Sequence, residues 1–200
     1  MPQPQTHTHP TVLAVWLVIA GVLGWWAAFA LTMDKFALLV DPDAILECNI
    51  SPLVQCGANL DSWQGSVFGF PNPILGLAGW IAPIVVGMAI LAGARFARWF
   101  WWLFALGMLF AFGFVIWLIT QSIFDLGTLC PWCMLTWVVT IPTFYVVTLH
   151  ILRAGILPAP VPVRRAAERL MGWVPLLTIL SYAVVAIIAQ VRLDVLGSLF

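Results

Sequence analysis

The sequence predicts an all-α integral membrane protein with five transmembrane helices. Of its 200 residues, 63% are hydrophobic and 8% are charged, whereas about 25% of the residues in an average soluble domain are charged. A helix needs about 20 predominantly apolar residues to cross the hydrocarbon core of a bilayer. Five runs satisfy this requirement: residues 12–33, 73–94, 99–121, 132–152 and 173–190. Their apolar character is continuous, which excludes the alternating strands of a membrane β-barrel.

The first helix follows an N-terminal tail, residues 1–11, whose prolines, threonines and histidines predict disorder. The tail contains no Lys or Arg, and the apolar run after it is longer than the core of a signal peptide, which has about 7 to 15 residues. We therefore expect a retained transmembrane helix. Residues 12–200 are predicted to form a single membrane domain, with an outer loop at residues 34–72 between the first two helices.

The second helix is predicted to begin at Asn72 and Pro73. Asparagine is a preferred N-cap residue and proline is favoured in the first helical turn, so we expect Asn72 to cap this helix. The helix also contains Gly76, Ala78 and Gly79. Small side chains allow membrane helices to approach one another closely, so these positions predict close helix packing.

The loop between helices two and three and the loop between helices four and five predict the orientation in the membrane. Six of the eight positive charges lie in two loops: Arg95, Arg98, Arg153, Arg164, Arg165 and Arg169. Seven of the eight acids lie at the opposite ends of the helices: Asp34, Asp41, Asp43, Glu47, Asp61, Asp125 and Asp194. Since loops rich in Lys and Arg stay in the cytoplasm, we expect a cytoplasmic N-terminus and an outer C-terminus. The net charge of zero gives no indication of nucleic-acid binding.

The fourth helix opens with the sequence CPWC, residues 130–133. Pro131 suits the first helical position, which puts Cys130 near the N-cap, where free N–H groups and the helix dipole stabilise a thiolate. Cysteines in such a C-x-x-C motif are typically redox-active. A zinc site also uses C-x-x-C, but it needs two further ligands. The other two cysteines are eight positions apart, and His150 lies at the opposite membrane face, so we expect no metal site.

A second cysteine pair, Cys48 and Cys56, lies in the predicted outer loop. On one continuous helix these cysteines would stand about 12 Å apart along the axis, and a disulfide needs Cα atoms within about 7 Å. Pro52 argues against such a helix, so we expect a loop. The outer compartment permits disulfides.

The four cysteines therefore have two interpretations. They form a relay by thiol–disulfide exchange, or they form two structural disulfides that staple the outer loops of a non-catalytic membrane protein. Transport is disfavoured because charged residues are lacking within the predicted helices. A relay needs an acceptor for two electrons and two protons. The chain has neither a haem-binding C-x-x-C-H nor a G-x-G-x-x-G motif, so we expect the acceptor to come from the membrane.

The order of the motifs resembles the bacterial vitamin K epoxide reductase family. Two cysteines separated by seven residues follow the first helix, SWQGSVFGFPNPILGLAGW follows them at residues 62–80, and C-x-x-C opens the fourth helix. The resemblance implies a four-helix bundle around a quinone, either menaquinone or ubiquinone, with the fifth helix beside it. It also implies that Cys130 and Cys133 are the catalytic pair, with Cys133 facing the quinone, and that Cys48 and Cys56 are shuttle cysteines.

The same resemblance implies further site residues and a partner. Ser62 and Asn72 correspond to a serine and an asparagine of the quinone site, and Trp137 stands where vertebrate relatives have a tyrosine one helical turn after the second catalytic cysteine. Many bacterial members carry a fused thioredoxin-like domain after the fifth helix, so for this chain we expect a separate thioredoxin-like exported protein. The other type of bacterial disulfide-generating membrane enzyme has its two cysteine pairs in the reverse order.

The resemblance thus implies a membrane thiol:quinone oxidoreductase. Such an enzyme re-oxidises its thioredoxin-like partner, reduces a quinone and supports disulfide formation in exported proteins. We expect it in the bacterial cytoplasmic (inner) membrane, surrounded by lipids, with its active site at the outer face.

Overall fold

The computed structural model describes residues 11–199, most of which are helical. In chain order the helices are α1 (Thr11–Val40), α2 (Gly57–Asp61), α3 (Asn72–Leu91), α4 (Arg98–Gln121), α5 (Pro131–Arg153), α6 (Val161–Met171), α7 (Val174–Leu193) and α8 (Val195–Leu199). A 3₁₀ turn (Trp63–Ser66) follows α2, and a π-helical turn (Ser122–Leu126) extends α4. Residues 11–199 contain no β-strand. The prediction of an all-α protein is therefore confirmed.

Five of these helices, α1, α3, α4, α5 and α7, are long and apolar enough to cross a membrane. They correspond to the five predicted spans, which is a second confirmation. The predicted disordered tail lies outside the described residues except for Thr11, which begins α1.

The first helix is longer than predicted, because α1 continues from residue 33 to Val40. Its last two turns lie beyond the apolar run and are held by the outer loop. Lys35 Nζ is 2.8 Å from Asp61 Oδ1, and Leu38 packs in a buried cluster with Leu46. The charges that follow the apolar run mark the end of the hydrophobic segment but not the end of the helix. The outer loop therefore begins at residue 41, not 34, and it contains α2 and the 3₁₀ turn.

Among the described residues, helices α1 and α3 make the most extensive helix–helix contact, and small residues make that contact possible. A Cβ atom added to Gly76 would lie 2.8 Å from the Cβ of Ala28, and one added to Gly87 would lie 2.6 Å from the carbonyl oxygen of Ala14. Real Cβ atoms do not approach a backbone oxygen so closely. Gly79 differs, since a Cβ there would meet no atom within 4 Å. The predicted close packing thus holds at Gly76 but not at Gly79.

We expect a Gly87→Ala substitution to destabilise the protein. The added methyl group would push the backbone of α1 away, and overpacking of this kind costs about 1–3 kcal/mol, more than the gain of about 1 kcal/mol in helix propensity. Thermal unfolding in detergent should therefore show a lower midpoint. Gly79→Ala, on the same helix but in open space, is the matched control and should not lower the midpoint. Equal midpoints for the two variants would contradict this account of the α1–α3 contact.

The loops that carry the arginines lie at one end of the bundle. Phe96, before α4, and Ile156 and Leu157, after α5, pack against the same buried cluster, which includes Trp101 and Ile151.

The helix that follows α5 in the chain, α6, was not predicted. Its eleven residues are too few for a membrane span. The helix is instead amphipathic, because Ala167 is buried against α5 and α7, whereas its three arginines are exposed.

The predicted orientation can be tested by cysteine labelling in intact cells. The four native cysteines are replaced, and one reporter cysteine is introduced at a time. A reporter cysteine at Ile45, which is 94% exposed in the outer loop, should react with a membrane-impermeant thiol reagent. A reporter at Arg164 on α6 should react only after the cells are permeabilised, because positively charged loops remain in the cytoplasm. If position 164 is labelled in intact cells, the predicted topology is wrong.

Candidate redox site and its adjoining cavity

Cys130 is the N-cap residue of α5, as predicted, and Pro131 occupies the first turn. The Sγ atom of Cys130 accepts a hydrogen bond of 3.3 Å from the backbone N–H of Cys133. The Cys133 thiol and the N–H groups of Cys133 and Trp132 donate hydrogen bonds that lower the pKa of the Cys130 thiol, against the opposing effects of burial and of the Asp34 carboxylate. Cys130 is thus suited to be a thiolate, the species that takes part in disulfide exchange.

The two loop cysteines, Cys48 and Cys56, form a disulfide, with Cα atoms 5.8 Å apart. Cys130 and Cys133 are free thiols. The Sγ atoms of Cys56 and Cys130 are 3.4 Å apart, and both residues are completely buried. The structure therefore brings the two cysteine pairs together in one cluster, with one pair oxidised and the other reduced.

Backbone pairing sets the position of the loop disulfide. Val54 and Leu129 form a short parallel bridge, in which Leu129 N–H donates to Leu53 O (2.8 Å) and Gln55 N–H donates to Leu129 O (3.0 Å). Leu129 directly precedes Cys130, and Gln55 directly precedes Cys56. The bridge consequently holds Cys56, rather than Cys48, against Cys130.

Two asparagines of the outer loop support this arrangement, and the sequence analysis did not identify either. Asn49 Oδ1 accepts hydrogen bonds from the backbone N–H groups of Cys56 (3.0 Å) and Gly57 (3.3 Å). Asn59 Nδ2 donates a hydrogen bond of 2.9 Å to Thr128 Oγ1. The position of Asn49 directly after Cys48 was only a weak indication of this role. The partner of Asn59, Thr128, is distant in sequence, so its contact gave no indication at all.

Asp34 is a further neighbour of the disulfide that was not predicted. Its Oδ2 lies 3.3 Å from Cys48 Sγ. The contact exists because α1 continues past its apolar segment and carries Asp34 to the level of the loop. A carboxylate at this distance is an acceptor for the thiol proton of Cys48 when the disulfide is reduced.

A cavity of about 590 Å³ lies on the other side of Cys133, between α1, α3, α4 and α5. The four residues predicted for quinone binding all line it: Ser62, Asn72, Cys133 and Trp137. Most of the remaining lining is apolar, from residues such as Leu31, Phe104, Met108, Phe114 and Val115. Pockets for small ligands have this size and this mixture of apolar surface with a few polar groups, so the residues present fit a lipid-soluble quinone.

The two C-x-x-C sulfurs differ in position. Cys133 lines the cavity, whereas Cys130 contacts Cys56. Two electrons from the loop can therefore pass through a disulfide exchange at Cys130 and leave through Cys133.

Ser62 and Asn72 both have structural hydrogen bonds in addition to their place in the cavity wall. Ser62 Oγ accepts from Gly65 N–H at 3.1 Å and caps the 3₁₀ turn. Asn72 Oδ1 accepts from Val67 N–H at 3.2 Å, and Nδ2 donates to Gln64 O at 2.6 Å. The N-cap of α3 is Pro71, so the prediction that Asn72 caps this helix is wrong: its side chain is used to hold the preceding loop. An amide has a second N–H donor, which is available to a ligand.

Gln64 is a buried polar residue of the cavity wall that the sequence analysis missed. It is 2% exposed; its Nε2 donates to the Asp125 carboxylate and to Gln121 Oε1. Its Oε1 is buried and has no hydrogen-bond partner among the described residues. A buried acceptor without a partner costs about 1–3 kcal/mol, so a donor from a ligand in the cavity would stabilise the site.

Comparison with known families gives a match that covers most of the membrane helices. The model of the vitamin K epoxide reductase family matches residues 15–148, about two thirds of the chain, from α1 to near the end of α5, including all four cysteines. No curated protein matches the chain.

Proposed function

The chain belongs to the vitamin K epoxide reductase family, and from this premise we propose that it is a membrane thiol:quinone oxidoreductase that re-oxidises a thioredoxin-like exported protein. Family membership indicates quinone-linked redox chemistry in a membrane. The observation that carries the finer proposal is the distance of 3.4 Å between Cys56 and Cys130, with Cys133 on the cavity side. An enzyme of this kind supports disulfide formation in exported proteins from the outer face of the bacterial cytoplasmic membrane.

The first half of the relay opens the C-x-x-C disulfide and leaves Cys130 linked to Cys56. It begins with disulfides at both Cys48–Cys56 and Cys130–Cys133. A thiolate of the partner attacks Cys48, which is 6% exposed, rather than the fully buried Cys56. Cys56 leaves as a thiolate and attacks Cys130, its neighbour at 3.4 Å, so that Cys133 is released as a thiolate.

The second half regenerates the loop disulfide. The second thiol of the partner displaces Cys48, and the partner leaves oxidised. The Cys48 thiolate then attacks Cys56 in the Cys56–Cys130 linkage, which restores Cys48–Cys56 and frees Cys130. The result is one loop disulfide and a reduced C-x-x-C pair, which is the state of the four cysteines in the structure.

The final step transfers two electrons and two protons from Cys130 and Cys133 to the quinone. Cys133 lines the cavity, and the products are a quinol and a Cys130–Cys133 disulfide. Ser62, Asn72 and Trp137 are the residues that we propose hold the ring. Most of the cavity lining is apolar, which suits a lipid-soluble ring, and the second N–H of Asn72 is a donor for a quinone oxygen as that oxygen gains negative charge.

The test is a reconstituted reaction with the purified protein in detergent. A reduced thioredoxin-like exported protein is mixed with menaquinone or ubiquinone, and quinone absorbance is followed while free thiols are trapped. We expect one quinone reduced for each partner disulfide formed, with Cys133→Ser as the inactive control. If the thiol content of the chain does not change when quinone is added, the two cysteine pairs are structural and the proposal fails.

A Gln64→Leu substitution should weaken binding of the quinol product more than binding of the quinone. Gln64 Oε1 is an acceptor, so it bonds to a quinol hydroxyl and not to a quinone carbonyl. One hydrogen bond contributes about 0.5–1.5 kcal/mol, which corresponds to an increase of about 2- to 10-fold in the inhibition constant of the quinol. The internal control is the KM for quinone, which should stay within about twofold. If the KM for quinone changes while the inhibition constant of the quinol does not, Gln64 Oε1 is not the acceptor for the quinol hydroxyl.

A further inference from the structure

Reduction of the loop disulfide changes what the cysteine cluster can bind. In the oxidised loop, Cys48 and Cys56 are bonded to each other and are not available as metal ligands. In the reduced loop they offer two sulfur ligands, beside the carboxylate of Asp34 and the thiol of Cys130. We propose that Asp34, Cys48 and Cys56, completed by Cys130, form a site for a soft divalent cation such as Zn²⁺ in the reduced protein.

In the oxidised loop the ligand atoms are close together but are not yet arranged around an ion, because the Cys48 and Cys56 sulfurs are bonded to each other. The ligand atoms of Asp34, Cys48 and Cys56 all lie within 4.8 Å of one another. Zn²⁺ binds thiolate sulfur at about 2.3 Å and carboxylate oxygen at about 2.0–2.2 Å, so two sulfurs on one tetrahedral ion are about 3.8 Å apart. Cys56 and Cys130 are within a few tenths of an ångström of that separation, at 3.4 Å. The Cys48 and Cys56 sulfurs move apart when their bond is broken.

The surroundings of the cluster favour a bound cation. Cys56 and Cys130 are completely buried, and Cys48 is 6% exposed, so unpaired negative charge there is costly. Asp34 also has the negative Glu47 nearby, and the Lys35 ammonium is already paired with Asp61. Either protons or a metal ion must therefore neutralise the reduced cluster. Metal binding releases the thiol protons and involves no electron transfer.

The sequence predicted no metal site because zinc motifs were sought only among cysteines and histidines. The spacing of the two pairs does not match such a motif, and Asp34 reaches Cys48 only because α1 continues past its apolar run. The four candidate ligands come from α1, the outer loop and the start of α5, so they lie near one another only in the folded chain.

Bound metal would also regulate the proposed relay, and this consequence alone rests on the proposed function. A thiolate that is coordinated to Zn²⁺ is a poor nucleophile for a disulfide. A metal ion on Cys56 and Cys130 would therefore hold the protein in the reduced state and stop electron transfer to the quinone.

Cobalt provides a direct probe of the site, since tetrahedral Co²⁺ with sulfur ligands has intense visible bands. The full chain in detergent is reduced with a phosphine, freed of reductant and titrated with Co²⁺ alone. We expect one equivalent to give the ligand-field bands together with sulfur-to-cobalt charge transfer, and Zn²⁺ to remove both. The oxidised chain should give no bands. Absence of bands in the reduced chain would overturn the proposal.

Variants identify the ligands. Asp34→Asn, which keeps the size of the side chain, and Cys48→Ser should each weaken Co²⁺ binding at least about tenfold. Cys133→Ser is the matched control and should bind Co²⁺ as the unsubstituted chain does. If Cys133→Ser loses the bands while Asp34→Asn retains them, the ion is held by the C-x-x-C pair and the proposal is wrong. No quinone or partner is present, so the outcome does not depend on whether the relay operates.

Discussion

A Cys130→Ser substitution should reduce the quinone reductase rate by at least about a thousandfold, because a residue that forms a covalent intermediate cannot be bypassed. The same variant leaves Cys133 without its partner at the edge of the cavity. Cys133 cannot then form a disulfide within its own motif. An electron-rich thiolate beside an electron-poor quinone ring should produce a new charge-transfer band in the visible spectrum.

The band is measured by adding quinone to the purified variant over a range of pH. It should grow as pH rises, because the thiolate and not the thiol donates electrons. Cys133→Ser is the matched control, equal in size and lacking the donor sulfur, and it should show no band. If the Cys130→Ser protein binds quinone but gives no band at any pH, Cys133 is not against the ring, and the last step of the proposed electron path is wrong.

The second large effect is expected at the loop pair. Cys56→Ala should reduce oxidation of the thioredoxin-like partner by at least about a thousandfold, since the attacking sulfur at 3.4 Å from Cys130 is gone. Small dithiols need no shuttle and should still reduce the Cys130–Cys133 disulfide. Rates with the two reductants are compared in the same preparation. Equal loss with both would show that the loop pair is structural or acts directly on the quinone.

A Cys48→Ser variant is the natural companion to Cys56→Ala, and it should behave differently. It lacks the sulfur that resolves the Cys56–Cys130 linkage, so that linkage should accumulate and leave Cys133 free. Digestion without reductant, followed by mass spectrometry, identifies the linked peptides. Recovery of a Cys48–Cys130 link from Cys56→Ala in equal yield would mean that the position of Cys56 beside Cys130 does not select the exchange partner.

Local patterns in the sequence predicted the elements that carry the site. Each membrane helix is a continuous apolar run, and its length follows from the thickness of a bilayer. The place of Cys130 at the start of α5 follows from Pro131, whose fixed φ and missing N–H suit the first helical turn. The family could also be recognised from the order of the cysteines and of residues 62–80. These features depend on neighbours within a few residues, which composition and spacing describe directly.

Amphipathic and side-chain details were less predictable. The helix α6 was missed because it is too short for a membrane span, and the end of α1 was placed too early because charge was taken as the end of the helix. Asn72 was expected at an N-cap, where its sequence position fits, yet its amide binds the backbone of residues 64 and 67. Local preference was overridden here by a loop that needed hydrogen-bond partners.

By itself, the sequence determined the five helices and the family, because these follow from local composition and order. Only the tertiary structure decided which sulfurs meet. Cys56 lies against Cys130 across 74 positions because the backbone near Val54 pairs with Leu129, and Asp34 reaches Cys48 because α1 extends beyond the apolar run. Contacts of this kind depend on how distant segments pack, and no periodicity within one segment records them.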